Sequence, residues 1–560
     1  MKALKFNIVL GFFLLLSLAI IFRLGQFQIV ESDYWKALAQ GQHRVFLQTK
    51  GDRGEIFITD RLGNLYPLAI NRSWEYIYIS PREISEKGGD IVKLSRVLGE
   101  ILEIEEELIL ARMKRTNSSY EVLKTRLSPQ EVDLLKEANL TGVNIRESVI
   151  RYYPQDKLAA HVVGFLGGDD SGQYGVEGYY NNKLKGTPLL KQGGRNLQGF
   201  LIPKAGGSIN SGENLVLTID YNIQFMAERL LDRAREDLGI EGGTILVGDP
   251  HTGEILALAN WPNFNPNEFF LENNLGIFIN PAIQVPFESG SIFKSITMAI
   301  ALEEGKITPD TIYNDTGSVR IGGRTIRNYN QRTWGKVNMT EALEKSINTA
   351  AVFAKDTVGN EVFTDYLEKF GFFEPTGIDM QGEVVSKNTS FKEGFEINFA
   401  TASFGQGIDT TSIQLFRAFS ALANGGRMVN PHIVDRGNIA SKGERVISQK
   451  TSADITSMMV SAVENSFARR AGVNGYYVAG KTGTAQVPWS ALGIPKRGYS
   501  DQTIQSFVGY APAFDPAFII LVKLDNPRTR TADLSAAPIF GELAKYILNY
   551  YQIPPERTNE

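Results

Sequence analysis

Apolar positions recur along the chain with two different periods, and each period predicts one type of element. Spacings of three and four residues over Ile91–Ala111, Asn222–Leu238 and Ala536–Tyr550 predict helices. Short apolar or aromatic runs, several bounded by turn residues, predict strands. The predicted strands are Glu55–Ile58, Glu75–Ile79, Leu215–Ile219, Thr244–Val247, Glu254–Ala259, Ser506–Tyr510 and Phe518–Leu524.

The order of these elements predicts the fold class and the domain plan. Beyond residue 210, strands lie at both ends of the region with helices between them, which indicates an α+β domain on an antiparallel sheet. A Gly-, Asn- and Lys-rich stretch at Pro188–Gly212 indicates a domain boundary. We therefore expect four segments: residues 1–45, 46–210, 211–552 and a short tail, 553–560.

The most apolar run lies near the N-terminus. Seventeen uncharged residues, Phe6–Phe22, stand between Lys5 and Arg23. As a helix they would extend about 26 Å, enough to cross a hydrocarbon core. No small-residue cleavage site closes the run, so we expect an uncleaved signal anchor with a short cytoplasmic tail. A cleaved signal peptide and a buried helix are the alternatives.

Composition narrows the possible chemistry. The 560 residues are too many for one core, and 43% hydrophobic content excludes large-scale disorder. A net charge of −4 provides no basic field for a nucleic acid. Cys is absent, which excludes disulfides, thiolate metal sites and Cys nucleophiles, and the four His are scattered. We therefore expect neither a metal nor a cofactor.

A candidate nucleophile lies in Ser291-Ile-Phe-Lys294. Gly290 precedes a helical pattern, which would place Ser291 in the first turn and Lys294 on the same helix face. A desolvated Lys with a lowered pKa can accept the Ser proton, so this pair can activate a hydroxyl without His. Taken alone, the pair equally fits a capping Ser followed by a solvated Lys.

Two further motifs follow in the chain. Ser346-Ile347-Asn348 lies in the helical pattern Leu343–Ala354, although other Ser-x-Asn triplets in the chain show that this motif is unspecific. Lys481-Thr482-Gly483-Thr484 comes after Tyr476–Gly480, which is predicted to be a strand ending in small residues. Three such elements in this order and context are strong evidence for one active site, and they are the motif set of penicillin-binding proteins and β-lactamases.

On these motifs the chain resembles the class B penicillin-binding proteins, which are membrane-anchored, monofunctional peptidoglycan transpeptidases. The resemblance covers nearly the whole chain. Further matching segments are Arg53–Ile56, Asp60–Gly63, Arg151–Pro154, His161–Gly164, Gly175–Glu177, Leu217–Asp220, Thr252–Ala257, Phe404–Gly407 and Ala423–Gly426. One departure is Ser289, which stands where the family usually has Pro and could loosen the turn that presents Ser291.

The resemblance implies a role for each motif residue. Ser291 would attack the penultimate D-Ala carbonyl of a stem peptide, and Lys294 would take its proton. Ser346 and Asn348 would relay protons and orient the lysine and the substrate amide, while Lys481 would supply positive charge. Thr482, Gly483 and Thr484 would bind substrate, and the backbone N–H groups of Ser291 and Thr484 would form the oxyanion hole.

The resemblance also implies partners and a location. Stem peptides would be donor and acceptor, and β-lactams would acylate Ser291. Residues 46–210 would form an extended α/β pedestal, a dimerisation-type module that contacts a SEDS-family glycosyltransferase and other division or elongation proteins. It would raise a β-lactamase-like catalytic domain away from the membrane. The catalytic domain would lie outside the bacterial cytoplasmic membrane.

Several alternatives remain open at the level of sequence. The context of Phe404–Gly407 and of Ser346–Ala351 resembles the division-specific branch, whereas an elongation-specific enzyme shares the same motifs. A D-Ala-D-Ala carboxypeptidase or a β-lactamase would use water as acceptor. A Ser-His-Asp hydrolase is disfavoured, because the chain has no Gly-x-Ser-x-Gly motif. An inactive penicillin-binding scaffold or sensor would be expected to lack a reacting residue, and here all of them are present.

Overall fold

In the computed structural model, the described residues are 52–186, 211–437 and 443–557, with a few positions before residue 24 and the backbone of three strands. Those strands, Arg44–Thr49, Leu189–Arg195 and Leu201–Pro203, form one antiparallel sheet. They belong to a compact unit made of Met1–Gly54 and Asn182–Glu213, and a second unit contains Glu55–Asn181 and Asn214–Glu560.

The predicted membrane anchor falls almost wholly outside the described residues. Among those that are described, no helix has the length and apolar character needed to cross a membrane.

A five-stranded antiparallel sheet organises the larger part of the second unit. Its central strand, Phe518–Asp525, comes from the end of the chain and pairs with Gly242–Gly248 from a position far earlier. This confirms the predicted α+β arrangement, in which distant segments build one sheet. The strands in spatial order are Ile255–Trp261, Gly242–Gly248, Phe518–Asp525, Tyr499–Ala511 and Ala479–Pro488.

Helices cover both faces of this sheet. Because successive side chains of a strand point to opposite faces, Val247 and Ile520 pack with Tyr221–Leu238 and Ala536–Tyr550 on one face. On the other face, Tyr510 bonds Thr456 of the helix Gln449–Glu464. The remaining α-helices of the region after residue 221 are Pro281–Gln284, Lys294–Glu303, Met339–Glu344, Asn348–Val358, Asn360–Lys369, Thr389–Lys392, Glu396–Ala402 and Ser412–Ala423.

An N-terminal module precedes this sheet in the same unit. Its long strand Leu65–Ile79 pairs with Val143–Tyr152 along ten residue pairs, and helices bury Leu98, Leu102 and Leu135 against it. The other strands are Ile56–Thr59, Glu121–Lys124 and Leu215–Asp220. The α-helices of the module are Pro81–Glu86, Ile91–Leu102, Glu106–Met113, Pro129–Ala138, Ala160–Val163 and Gly175–Tyr179. The helix Asn181–Lys185 begins at the last residue of this stretch and belongs mostly to the first unit.

Short two-stranded ribbons complete the fold. They are Phe165–Leu166 with Gly172–Gln173, Phe287–Glu288 with Asp409–Thr410, Ile312–Asp315 with Gly335–Asn338, and Ser318–Ile321 with Arg324–Arg327.

Three local predictions were wrong. In two of them the backbone changes conformation where apolar periodicity does not, and in the third a strand continues through small residues that were expected to end it. The helix predicted over Ile91–Ala111 is broken at Glu103, which is left-handed (φ 56°). The helix predicted over Leu343–Ala354 is broken at Ser346, which is also left-handed (φ 54°). The strand predicted to end at Gly480 instead begins at Ala479 and runs through the third motif to Pro488.

Candidate active site

The nucleophile candidate lies in a turn of 3-10 helix. Gly290–Phe293 forms this turn, and the α-helix Lys294–Glu303 continues from it, so Ser291 precedes the α-helix by one turn rather than lying in its first turn. Residues three apart eclipse one another in a 3-10 helix, which places Ser291 and Lys294 on the same side. Ser289 has φ −75° and ψ −12°, within the range that proline imposes.

Ser346 occupies the break between the helices Met339–Glu344 and Asn348–Val358. Its φ of 54° is costly for a residue with a Cβ. Hydrogen bonds hold this conformation, because Ser346 N donates to Leu343 O (3.2 Å) and Ile347 N donates to Ala342 O (2.9 Å). The break turns both the carbonyl and the hydroxyl of Ser346 toward Lys294.

One hydroxyl joins the two lysines of the site. Lys294 Nζ donates to Ser346 O (2.6 Å) and to Ser346 Oγ (3.1 Å). Lys481 Nζ donates to the same Oγ (3.1 Å) and to Thr482 O (3.1 Å). Three of the predicted catalytic side chains, from three distant segments, are therefore in direct contact.

Burial adjusts the protonation of both lysines. Each is almost completely buried, with 1% of Lys294 and 3% of Lys481 exposed. Desolvation, and secondarily the positive charge of Lys481, lowers the pKa of Lys294 well below its ordinary value. Desolvation also lowers the pKa of Lys481 to about 7. Lys294 is the stronger candidate for a neutral amine that can accept a proton at neutral pH.

The third motif forms part of the edge strand Ala479–Pro488, which pairs with Tyr499–Ala511. A methyl group on Gly483 would lie 2.7 Å from Ser289 O and 2.6 Å from Ser506 Oγ. Only glycine lets this strand approach the nucleophile turn so closely. Thr484 Oγ1 accepts a hydrogen bond from Ala532 N (3.2 Å), and Thr482 is half-buried beside Lys481.

The predicted oxyanion hole involves two backbone segments that are neighbours. A methyl group on Gly290 would contact Thr484 O at 3.4 Å, so the main chain around Thr484 lies against the turn that carries Ser291. The assignment of the Ser291 and Thr484 N–H groups as the donors stays a prediction.

Asn348 is held differently from Ser346. Its Nδ2 donates to Arg327 O (2.9 Å). The next residue, Thr349, is fixed by its neighbours, because its N–H donates to Asn328 Oδ1 (3.2 Å) and its hydroxyl donates to Asp315 Oδ1 (2.7 Å). This network attaches the start of the helix Asn348–Val358 to the ribbon that ends at Arg327.

Glu288 was not predicted from the sequence to have a role, and it is only 7% exposed. Its Oε1 accepts from Gly407 N (2.9 Å) and from Tyr499 OH (3.1 Å). Desolvation raises its pKa to about 7. Glu288 thus links the nucleophile turn to the loop Phe404–Gly407, whose Gly405 O accepts from Gly290 N (3.0 Å). A single Glu before Ser-Gly-Ser belongs to no motif, so the sequence does not predict these remote partners.

This arrangement suits acyl transfer. A serine stands one 3-10 turn before a buried lysine of lowered pKa, a hydroxyl can pass a proton between two amines, and an edge strand packs against the turn that carries the serine. These are the components of nucleophilic catalysis without His.

Comparison with known proteins agrees with this geometry. The family model described as the penicillin-binding protein transpeptidase domain matches residues 243–545, and that of the penicillin-binding protein dimerisation domain matches residues 48–217. The chain belongs to the class B penicillin-binding proteins. As a member of that family, it is a serine-type D,D-transpeptidase.

Individual relatives match this transpeptidase over almost its full length. Stage V sporulation protein D of Bacillus subtilis is 31% identical over 98% of the chain and 86% of that protein. Peptidoglycan D,D-transpeptidase FtsI of Escherichia coli is 27% identical over 99% of the chain and 92% of that protein. The crystal structure of penicillin-binding protein 2X from Streptococcus thermophilus has the same fold, with a TM-score of 0.70 at 23% identity over 90% of this chain and 80% of that one.

Proposed function

We propose that this transpeptidase crosslinks the stem peptides of peptidoglycan during septal wall synthesis. The observation that carries the chemistry is the contact of Lys294 and Lys481 with one Ser346 hydroxyl. The peptidoglycan substrate is supported by the names of two relatives, FtsI of Escherichia coli and the probable peptidoglycan D,D-transpeptidase PbpC of Pseudomonas aeruginosa. The septal role is supported by the resemblance of Phe404–Gly407 to the division-specific branch.

The reaction has two half-steps. Ser291 Oγ attacks the penultimate D-Ala carbonyl while its proton passes to Lys294 Nζ, and the C–N bond then breaks as the leaving D-Ala amine takes a proton. The amine of a second stem peptide attacks the resulting ester, its proton is accepted at the lysine pair, and the C–O bond breaks to return Ser291. Thr484 and Ser291 N–H groups would stabilise the oxyanion in both steps.

Labelling with fluorescent penicillin tests the nucleophile. We expect covalent labelling of the wild type, none of Ser291→Ala, and acylation slowed about 10²- to 10⁴-fold in Lys294→Ala. Ser295→Ala, which removes a buried hydroxyl at the residue after Lys294, is the matched control and should label normally. Labelling that persists in Ser291→Ala would contradict the assignment.

A turnover assay shows whether a peptide amine or water accepts the acyl group. With a donor stem peptide and an amine acceptor, a transpeptidase yields a crosslinked dimer, whereas a carboxypeptidase or β-lactamase yields only the hydrolysed product. Hydrolysis alone, with the acceptor in excess, would reject the crosslinking function.

We further propose a single-pass location in the bacterial cytoplasmic membrane, with the catalytic domain outside, and a SEDS-family glycosyltransferase as partner. The support is the apolar run Phe6–Phe22 and the family resemblance of residues 46–210. A fluorescent fusion at midcell would agree with the septal role, and one along the side wall would favour elongation.

A further inference from the structure

A basic ribbon stands next to the active site. It consists of the strands Ser318–Ile321 and Arg324–Arg327, which lie between the first and second motifs in the sequence. Residues 316–340 contain five basic side chains and no acidic one, in a chain whose net charge is −4. All five are exposed: Arg320, Arg324, Arg327, Arg332 and Lys336.

The two faces of the ribbon differ in chemistry. Val319 and Ile326 are paired across the strands and pack into a cluster with Ala351 and Phe404. The alternate pairs, Ser318 with Arg327 and Arg320 with Thr325, therefore point away from that cluster. Arg320 and Arg327 are diagonal neighbours on this outward face, a placement that brings side chains to within about 7–8 Å.

In the described part of the chain, no carboxylate forms an ion pair with any of the five basic side chains. Two like charges on adjacent strands repel one another, and an anion bound between them reduces this repulsion. Guanidinium groups present a planar pair of donors that matches a carboxylate.

The ribbon is fixed to the catalytic elements. Its inward face packs on Ala351, from the helix that begins at Asn348, and on Phe404, whose neighbour Gly405 accepts a hydrogen bond from Gly290. Its last residue, Arg327, accepts the Asn348 hydrogen bond through its carbonyl oxygen. A ligand on the outward face would therefore be held at a defined position beside the second motif.

We propose that the outward face of this ribbon binds the carboxylates of an acidic peptide, and that this peptide is the stem peptide being crosslinked. The inference rests on the proposed function for the identity of the peptide. A peptide fits better than a lipid surface because Arg327, at the end of the ribbon, accepts a hydrogen bond from Asn348 of the second motif, and a peptide bound at Ser291 can extend to it.

Peptide binding without turnover tests this proposal. In full-length protein carrying Ser291→Ala, calorimetry compares a stem peptide that has a free glutamate carboxylate with the same peptide amidated at that position. We expect amidation to weaken binding about three- to tenfold. The preference should disappear in Arg320→Gln/Arg327→Gln and reverse in Arg320→Glu/Arg327→Glu.

A double variant on the opposite face of the large sheet provides the control. Arg233→Gln/Lys545→Gln removes the same charge from the exposed sides of Tyr221–Leu238 and Ala536–Tyr550, and it should keep the preference for the acidic peptide. The proposal is overturned if Arg320→Gln/Arg327→Gln also keeps that preference, if neither peptide binds, or if the double variant loses binding only to anionic lipid vesicles.

The ribbon proposal and the proposed function can fail independently of each other. With Ser291 present, Arg320→Gln/Arg327→Gln should be acylated by fluorescent penicillin at the wild-type rate, because penicillin lacks the glutamate carboxylate that the two side chains are proposed to bind. Failure of the wild type to label would reject the transpeptidase chemistry and leave the peptide-binding comparison unaffected.

Discussion

At the residue scale, Ser346 combines a strained backbone with a central position in the proton network. Its hydroxyl is 3.1 Å from both lysine Nζ atoms, and its left-handed φ of 54° is normally reserved for glycine. The strain persists because the hydrogen bonds around the break over-determine the conformation. Two substitutions at this position separate the effect of backbone strain on stability from the effect of the hydroxyl on the acylation rate.

We predict that Ser346→Ala and Ser346→Gly both lower the rate of acylation by penicillin about 10²- to 10⁴-fold, because each removes the hydroxyl that joins the two amines. The two variants should differ in stability. Glycine adopts φ 54° without steric cost, so Ser346→Gly should be more stable than Ser346→Ala by about 1 kcal/mol in urea unfolding. Retention of the acylation rate in both variants would remove the hydroxyl from the proton pathway.

The sequence was sufficient to predict the residues that meet at this point, but not those that hold them. Lys294, Ser346 and Lys481 belong to motifs with recognisable spacing. Glu288 does not, since its hydrogen-bond partners come from Gly407 and Tyr499, which are more than a hundred residues away. An isolated carboxylate carries no sign of its burial until the fold brings such segments together.

At the element scale, regular periodicity predicted elements well and breaks in periodicity poorly. The helix Ala536–Tyr550 begins and ends as predicted, because its apolar face is continuous. The break at Ser346 was missed, since Ser is an ordinary residue in a helical pattern and only tertiary hydrogen bonds stabilise its conformation. The third motif was predicted to follow a strand, because small residues commonly end strands. In the structure it lies inside the strand, where its small residues permit close packing.

The loop Phe404–Gly407 packs against the nucleophile turn, and a substitution at Gly405 tests this contact. Gly405 has φ 77°, and a methyl group there would lie 2.2 Å from Gly290 O. Gly405→Ala must therefore displace the loop Phe404–Gly407 or the turn itself. We expect acylation to fall at least tenfold and the free energy of unfolding to fall by about 2–3 kcal/mol, from the clash together with the backbone strain.

Gly394→Ala is the matched control for this change. Gly394 has a similar φ of 75°, but nothing lies within 4 Å of the added methyl group. The control should lose only about 1 kcal/mol of stability, from backbone strain, and should acylate at the wild-type rate. Equal effects of the two substitutions on acylation would show that the contact with Gly290 is unimportant.

At the scale of the whole molecule, the N-terminal module and the catalytic region of the second unit share polar contacts that are wholly or partly buried. Asn267 Nδ2 donates to Tyr153 O (2.8 Å), and Tyr180 OH donates to Asp379 (2.7 Å). Ala159 N donates to Glu228 Oε1 (2.7 Å), on the helix Tyr221–Leu238. Because these bonds join segments far apart in sequence, loss of one should be felt in the unfolding of the unit as a whole.

Glu228 makes this coupling dependent on pH. Desolvation raises its pKa from 4.5 to about 7, so the folded state favours the protonated carboxyl. A raised carboxyl pKa contributes stability at low pH that is lost as pH rises from about 4.5 through 7. Glu228→Gln keeps an oxygen that accepts from Ala159 N but cannot ionise. Relative to the wild type, its free energy of unfolding should rise by about 1–3 kcal/mol between pH 5 and pH 8.

Urea unfolding followed by tryptophan fluorescence at several pH values would measure this difference. Glu236→Gln, an exposed position on the same helix, should show no such change between pH 5 and pH 8 relative to the wild type. A Glu228→Gln stability difference that stays constant across this range would mean that the contact to Ala159 stabilises the unit through packing, with no penalty from ionising the buried carboxyl.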